Sequence, residues 1–467
     1  MTVAIVVLIL LSYGLIASEH FTKINKTTVA ILVGVVVWIL YLCMGGDFVY
    51  RMHAGEFTDF LAGRAYSAAL AKKFIADNIF VVYAEYISSI VLYLLTTMSI
   101  VDVLNNNGCF NFITDIVRAR STNRILWGFV AITFLLSANF YNLAVVVLML
   151  GVMRNLLQND MQRRYVGVAV VIASCMGGCL TVIGDVTSLI LWTRNAVTPT
   201  NFSAAMALPA LVGTVVPVLL IRNSLPAHLD LVRTRYGVYR AEESDMPLWQ
   251  RITLFVIGVG GLWFVPSFHR ITLLPPFLGA LCVLAVLWLL NGIFNHRKIQ
   301  SEAPMMLPGT NRRLRSEVFQ VIMYFIGVTL AVSVLREIGA MQVVGQWIDR
   351  HIHDVYVFSI FVGLVSAVMD NICLVFSAVN IYDILPYSAN ASAYQQLFMQ
   401  NGQYWHLIML SGCLGGCLLP IGNVTGYALM KAEDVNLSWY MRHITFKVAL
   451  GWMAALITYF LVDFLLR

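Results

Sequence analysis

The chain has 467 residues, of which 60% are hydrophobic and only 12% charged, and its mean hydropathy is +0.80. That leaves too little polar surface for a soluble protein of this length, and the continuous apolar runs exclude the alternating strands of a membrane β-barrel. The net charge of +6 matters only through where the cations sit, and the eight cysteines fall mostly inside apolar runs, which excludes a secreted disulfide framework.

In chain order, helical crossings are predicted near 1–17, 27–44, 79–101, 165–192 and 203–221, then 252–268, 272–291, 317–335, 404–430 and 443–465. The first lacks the positive leader of a signal peptide and reads as a retained helix. Lys23 and Lys26 follow it, Arg118, Arg120 and Arg124 follow the third, and Arg154, Arg163 and Arg164 precede the fourth. Arg222, Arg233, Arg235, Arg240 and Arg251 fill the centre, and Arg297, Lys298, Arg312, Arg313 and Arg315 come before Glu317. The positive-inside rule makes these loops cytoplasmic. Arg51, Arg64, Lys72 and Lys73 in 45–78 run against it, in a segment suited to an interfacial amphipathic helix. Each half then holds an odd number of crossings, so the second enters the membrane inverted. Residues 1–222 and 251–467 read as two inverted repeats joined by a cytoplasmic linker, 223–250, with both termini outside.

Two apolar pairs, 123–157 and 355–382, each return to the side they left. A polar tip splits each into arms of about 15 residues, roughly 22 Å long, short of a crossing. They read as re-entrant hairpins, although parity alone leaves paired full spans open.

The strongest signal is a repeat. Residues 175–187 read CMGGCLTVIGDVT and 413–425 read CLGGCLLPIGNVT. The hairpin tips echo each other too, Ser137-Ala138-Asn139-Phe140-Tyr141-Asn142-Leu143 against Ser366-Ala367-Val368-Met369-Asp370-Asn371-Ile372, and more weakly Glu85 and Thr97 echo Glu317 and Thr329. Glycine pairs and polar steps inside apolar runs, once per half, are the pattern of broken helices meeting at a transporter's midplane site. Irregular backbone survives at membrane depth only where protein or a water-lined cavity satisfies it. The oxygens of Ser366, Asp185, Asp370, Asn142, Asn371, Asn423, Thr187, Ser188 and Thr425 should therefore face an internal pocket, suited to a hard monovalent cation or to a polar solute.

The segments GGCLTVIGDVTSLILW (177–192), SAVMDN (366–371), GGCLLPIGNVTGYALM (415–430) and AEYISSIVLYLLTTMSIVDVL (84–104) resemble the NhaD-type sodium/proton antiporters, a branch of the ion transporter superfamily. The resemblance runs from about 80 to 460. It implies an all-α polytopic membrane protein with two inverted repeats, hairpins 123–157 and 355–382, and broken helices 165–192 and 404–430. It also implies exchange of Na⁺ or Li⁺ for H⁺ with no cofactor. Its acidic position in the first broken helix falls on Asp185, beside Thr187 and Ser188, and its second hairpin pair falls on Asp370 and Asn371, after Ser366. The chain departs from that pattern at Tyr141, where the family usually has Asp, and at Cys175, Cys417 and Asn423.

Each residue also has a plainer reading. Asp185 and Asp370 either bind the transported ion or form a salt bridge or helix cap that supports the breaks. Glu85 and Glu317 are either a proton relay or anchors near a membrane face. The cysteines read as small packing residues rather than metal ligands, and Tyr141 is either an inert plug or a coordinating phenol. An intramembrane aspartyl protease is disfavoured because V-I-G-D has Val182 where G-x-G-D needs glycine. The expected function is Na⁺ or Li⁺ exchange for H⁺ at a midplane carboxylate site in a multi-pass cell membrane, the bacterial inner membrane if the source is prokaryotic. The alternative is Na⁺-coupled transport of an organic anion or other solute. The expected partners are cations, protons and lipid, not nucleic acid, and a homodimer stays open.

Overall fold

The computed structural model describes residues 2–22, 24–117, 121–230, 246–295, 309–386, 388 and 391–466, with side chains except at 20, 21, 114–116, 309–318 and 466. The described residues form helices and one isolated bridge between Leu385 and Met399. A helix is the natural answer for these runs, because it satisfies every backbone group internally where no water can.

The first half comprises α1 (Thr2–Ala17), α2 (Lys26–Met44), α3 (Val81–Asn106), the hairpin α4 (Thr122–Ser137) and α5 (Asn142–Leu156), the broken pair α6 (Asp160–Leu180) and α7 (Val186–Thr193), and α8 (Pro199–Arg222). The second half repeats the order with α9 (Leu248–Thr272), α10 (Pro276–Phe294), α11 (Gly309–Glu337), the hairpin α12 (Val355–Ser366) and α13 (Asn371–Val379), the broken pair α14 (Gln403–Gly415) and α15 (Val424–Glu433), and α16 (Thr445–Leu466).

Among the described residues, eight helices are long and apolar enough to cross a membrane. The two other expected crossings differ. Helix α1 has only 16 residues, and the 404–430 span is divided into pieces of 13 and 10. The hairpins fall where the apolar pairs lay, and both predicted broken helices are interrupted. The segment 45–78 is not one amphipathic helix. It folds as Gly46–Met52, Ala54–Leu61 and Ala68–Phe74, and a π-helical stretch Ile75–Phe80 then joins it to α3 without interruption.

Packing repeats between the halves. Helix α1 lies on α2 as α9 lies on α10, and α4 lies on α6 as α12 lies on α14. The halves also interlock: α2 packs on α11, α10 on α3, and α8 on α16. The α2–α11 crossing is close because glycines meet there. A Cβ on Gly34 would lie 2.6 Å from the Gly327 carbonyl oxygen, and one on Gly327 would strike the Ala30 backbone. The long helices carry many exposed apolar side chains, such as Leu32, Leu219, Trp263 and Phe464, the face a bilayer covers. The broken helices α6 and α14 are the most enclosed, with every residue from Tyr165 to Cys179 and from Gln403 to Gly415 buried.

Candidate functional site

The repeated glycines explain how each hairpin tip reaches its own broken helix. A Cβ on Gly177 would strike the Phe134 carbonyl oxygen, and one on Gly415 would strike that of Gly363. Likewise, a Cβ on Gly184 would meet the Ser137 carbonyl, and one on Gly422 the Ser366 carbonyl. Only bare backbone fits at these approaches. Hydrogen bonds repeat with them. Ser137 Oγ donates to the Ser174 carbonyl at 2.7 Å, and Ser366 Oγ donates to the Gly412 carbonyl at 2.8 Å. Two thirteen-residue motifs and two tips thus build the same joint twice.

Each joint presents helix N-termini, whose free N–H groups and dipole favour an anion. Asp185 caps α7. Val186 N donates to its Oδ1 at 2.8 Å and Thr187 Oγ1 donates to its Oδ2 at 2.6 Å. Cys413 Sγ, from the other half, donates to Oδ2 at 3.7 Å. Ser188 completes a capping box, with its Oγ 3.3 Å from Asp185 N and 2.9 Å from Asp185 O. Asn423 caps α15 by accepting from Thr425 N at 3.0 Å, while its Nδ2 donates to Cys175 Sγ at 3.0 Å. Thr425 Oγ1 lies 3.4 Å from the same sulfur.

Asp370 caps α13, accepting from Ile372 N at 3.1 Å on Oδ1. Its Oδ2 receives the ammonium of Lys26 at 2.7 Å. Tyr141 occupies the equivalent cap of α5 without a side-chain bond and lies within electrostatic reach of both Asp185 and Asp370. Asn142 and Asn371 follow the two tip caps and are buried. Asn371 N donates to the Gly422 carbonyl at 3.3 Å.

Asp185, Asp370, Asn142, Asn371, Thr187, Ser188, Ser366, Asn423 and Thr425 are all buried at these joints. Their oxygens do not all point into one pocket: Ser188 and Ser366 are engaged with backbone. Glu85 is exposed on α3 and is not brought to the cluster, and the Glu317 side chain lies outside the described residues. Among the described residues, no group of three His, Cys, Asp or Glu is placed to hold a metal ion.

Two residue types differ from the sequence reading. Lys26 is not a loop cation. It opens α2, and its long stem carries the ammonium inward to Asp370. A charge beside a predicted helix start with an apolar run after it was the only trace of this in the sequence. Cys175 and Cys413 are more than packing residues, since their thiols hydrogen-bond the caps of the opposite half. For Cys175 the available signal was its departure from the pattern that the resemblance implies; Cys413 carried none.

A cavity of about 350 Å³ adjoins the cluster, lined among others by Glu19, Lys26, Gln320, Tyr324, Tyr427 and Lys431. A smaller one of about 20 Å³ reaches Asp370 itself and shares Glu19, Lys26 and Tyr427. The half-helices are also anchored at their far ends. Glu433, closing α15, takes Arg154 Nε at 2.7 Å and Arg163 Nε at 2.8 Å. Arg194, beyond α7, stacks on Tyr86 and donates to Asn380 at 3.0 Å.

Broken helices facing each other around buried carboxylates, in a multi-pass α-helical membrane protein, define the architecture of a secondary transporter. Comparison with known proteins agrees. A family model described as "Citrate transporter" matches residues 6–399. Sodium/proton antiporter 2 of Arabidopsis thaliana is 31% identical over 376 residues, covering 80% of this chain and 86% of that protein. The Na(+)/H(+) antiporter NhaD of Halomonas elongata is 24% identical, covering 98% and 88%, and that of Vibrio parahaemolyticus is 26% identical, covering 75% and 83%. The chain belongs to this transporter family, as a divergent NhaD-type member of the ion transporter superfamily.

Proposed function

We propose that the protein exchanges Na⁺ or Li⁺ for H⁺ by alternating access, with Asp185 and Asp370 as the shared site. The observation that carries this reading is the pair of buried aspartates at helix N-termini, Asp185 on a broken helix and Asp370 at a hairpin tip, within electrostatic reach of each other. A buried carboxylate is tolerable only when it is protonated, paired or ligating a cation. Loading a cation therefore releases a proton, and loading a proton releases the cation. Alternating access also needs a scaffold that opens to each side in turn, and the sequence's own symmetry suits it. Two inverted repeats, 1–222 and 251–467, with re-entrant hairpins, can exchange roles so that the site opens first to one side and then to the other. The names of the antiporter relatives support the choice of ions.

A second reading, transport of an organic anion with Na⁺, is favoured by the family description and by Lys26 and Lys431 lining a cavity roomy enough for a small carboxylate. Purified protein in liposomes with an internal pH dye separates the two. The exchange reading predicts proton flux on adding Na⁺ or Li⁺ alone. Flux that requires an added tricarboxylate, and none with Na⁺ by itself, would replace it with the second.

A further inference from the structure

We propose that Lys26 is a tethered cation that competes with sodium for Asp370, so that a sodium ion binds there only by displacing the ammonium. The proposal rests on the exchange reading and adds a residue that neither the sequence motifs nor the repeat symmetry point to.

Position is the first argument. Lys26 lines both the large cavity and the small one that touches Asp370, so its ammonium stands between the open space and the carboxylate. The Asp370 side chain is 2% exposed and that of Lys26 16%, so an ion entering from the cavity meets the lysine first. The ammonium at 2.7 Å occupies the oxygen, Oδ2, that the helix cap leaves free, since Oδ1 is engaged by Ile372 N.

The second argument is that the displaced ammonium has somewhere to go. Its stem is flexible, and its Nζ already lies 4.8 Å over the Tyr324 ring. Glu19 lines both cavities and accepts from Lys26 N at 3.4 Å, so a second carboxylate waits beside the same residue on the cavity side. Moving the ammonium from Asp370 toward Glu19 exchanges one ion pair for another rather than leaving a bare charge, which is what keeps displacement affordable in a partly buried site.

Charge count is the third. Asp185 and Asp370 with Lys26 in place carry one net negative charge when both acids are ionised. When a sodium ion replaces the ammonium on Asp370 Oδ2, the two carboxylates with that ion again carry one net negative charge, so one cation takes the place of the other without changing the charge of the set. Asp185 has no Lys or Arg within ion-pair distance among the described residues, so the competition is confined to the second half.

The test uses the full-length protein in liposomes clamped with K⁺ and valinomycin, with Lys26→Met, Lys26→Arg and Glu19→Gln compared by radioactive sodium binding and by exchange. Lys26→Met should lower the half-saturating sodium concentration about tenfold, equivalent to ~1.4 kcal/mol, and change the voltage dependence. Lys26→Arg, which keeps a tethered cation, should stay close to wild type. Glu19→Gln, which removes the station for the displaced ammonium and leaves Asp370 paired, should weaken sodium binding; it also keeps the proposal testable if Lys26→Met does not fold. Unchanged or weaker sodium binding in folded Lys26→Met, or unchanged binding in Glu19→Gln, would overturn the proposal while leaving the exchange reading intact. A wild-type protein that neither binds nor exchanges sodium would overturn both.

Discussion

Asp185 and Asp370 do the same structural work by different means. Each is an N-cap, Asp185 on a broken helix and Asp370 at a hairpin tip, and takes one backbone N–H on Oδ1. The other oxygen separates them: Asp185 is held by the Thr187 hydroxyl and the Cys413 thiol, and Asp370 by the Lys26 ammonium. Neutral donors leave Asp185 a full charge to be met by a proton or a cation, whereas Asp370 is met in advance. Near-symmetric backbones therefore carry an asymmetric site, and the asymmetry lies in side chains contributed by other helices.

The largest effect should come from removing either charge. Asp185→Asn and Asp370→Asn keep shape and the N-cap acceptor, so the proteins should fold and insert but lose exchange altogether in the pH-dye assay. Activity at wild-type rate in both would refute the carboxylate mechanism.

Next is the backbone symmetry. Gly184→Ala and Gly422→Ala both force a Cβ onto a hairpin-tip carbonyl, so each should cost about 1–3 kcal/mol in unfolding in detergent, and by similar amounts. A marked difference between them would show that the two joints are not equivalent.

Tyr141 offers a sharper comparison of the tips, because it stands where the other tip has Asp370. Tyr141→Asp adds an acid within reach of both aspartates. It should change the charge moved per cycle and with it the voltage dependence, since each charge is worth about 2.3 kcal/mol per 100 mV. No change in ion affinity or voltage dependence would place Tyr141 outside the site.

The smallest expected effect lies away from the site. The Glu337 carboxylate, 2.8 Å from His53 Nε2, holds that imidazole above its usual 6.5. A raised folded value means the contact stabilises fully below the unfolded pKa and fades as pH rises through the folded one. His53→Gln should therefore lower thermal stability at pH 6, by about 1 kcal/mol, and hardly at all at pH 9. Equal losses at both would mean the contact is uncharged.

Much of this was legible in the chain because local chemistry carries it. Apolar runs of spanning length gave the helices, and the paired glycines gave the breaks, since a close backbone approach can be read from a residue that lacks a Cβ. Asp185 and Asp370 stood out as acids inside apolar sequence. What the sequence could not yield was tertiary pairing. Lys26 and Asp370 are 344 residues apart, and Cys413 and Asp185 are 228 apart, so nothing local links them. Glu85 shows the converse: its echo with Glu317 suggested a shared role, yet helix α3 turns it outward.

The central claim is that binding a cation at the site formed by Asp185 and Asp370 expels a proton from it. Calorimetric titration of the purified protein with NaCl, repeated in buffers of different ionisation enthalpy, counts the protons released per sodium bound. The account predicts proton release in the wild type that is diminished in Asp185→Asn and in Asp370→Asn; sodium binding with no proton release in the wild type would contradict it.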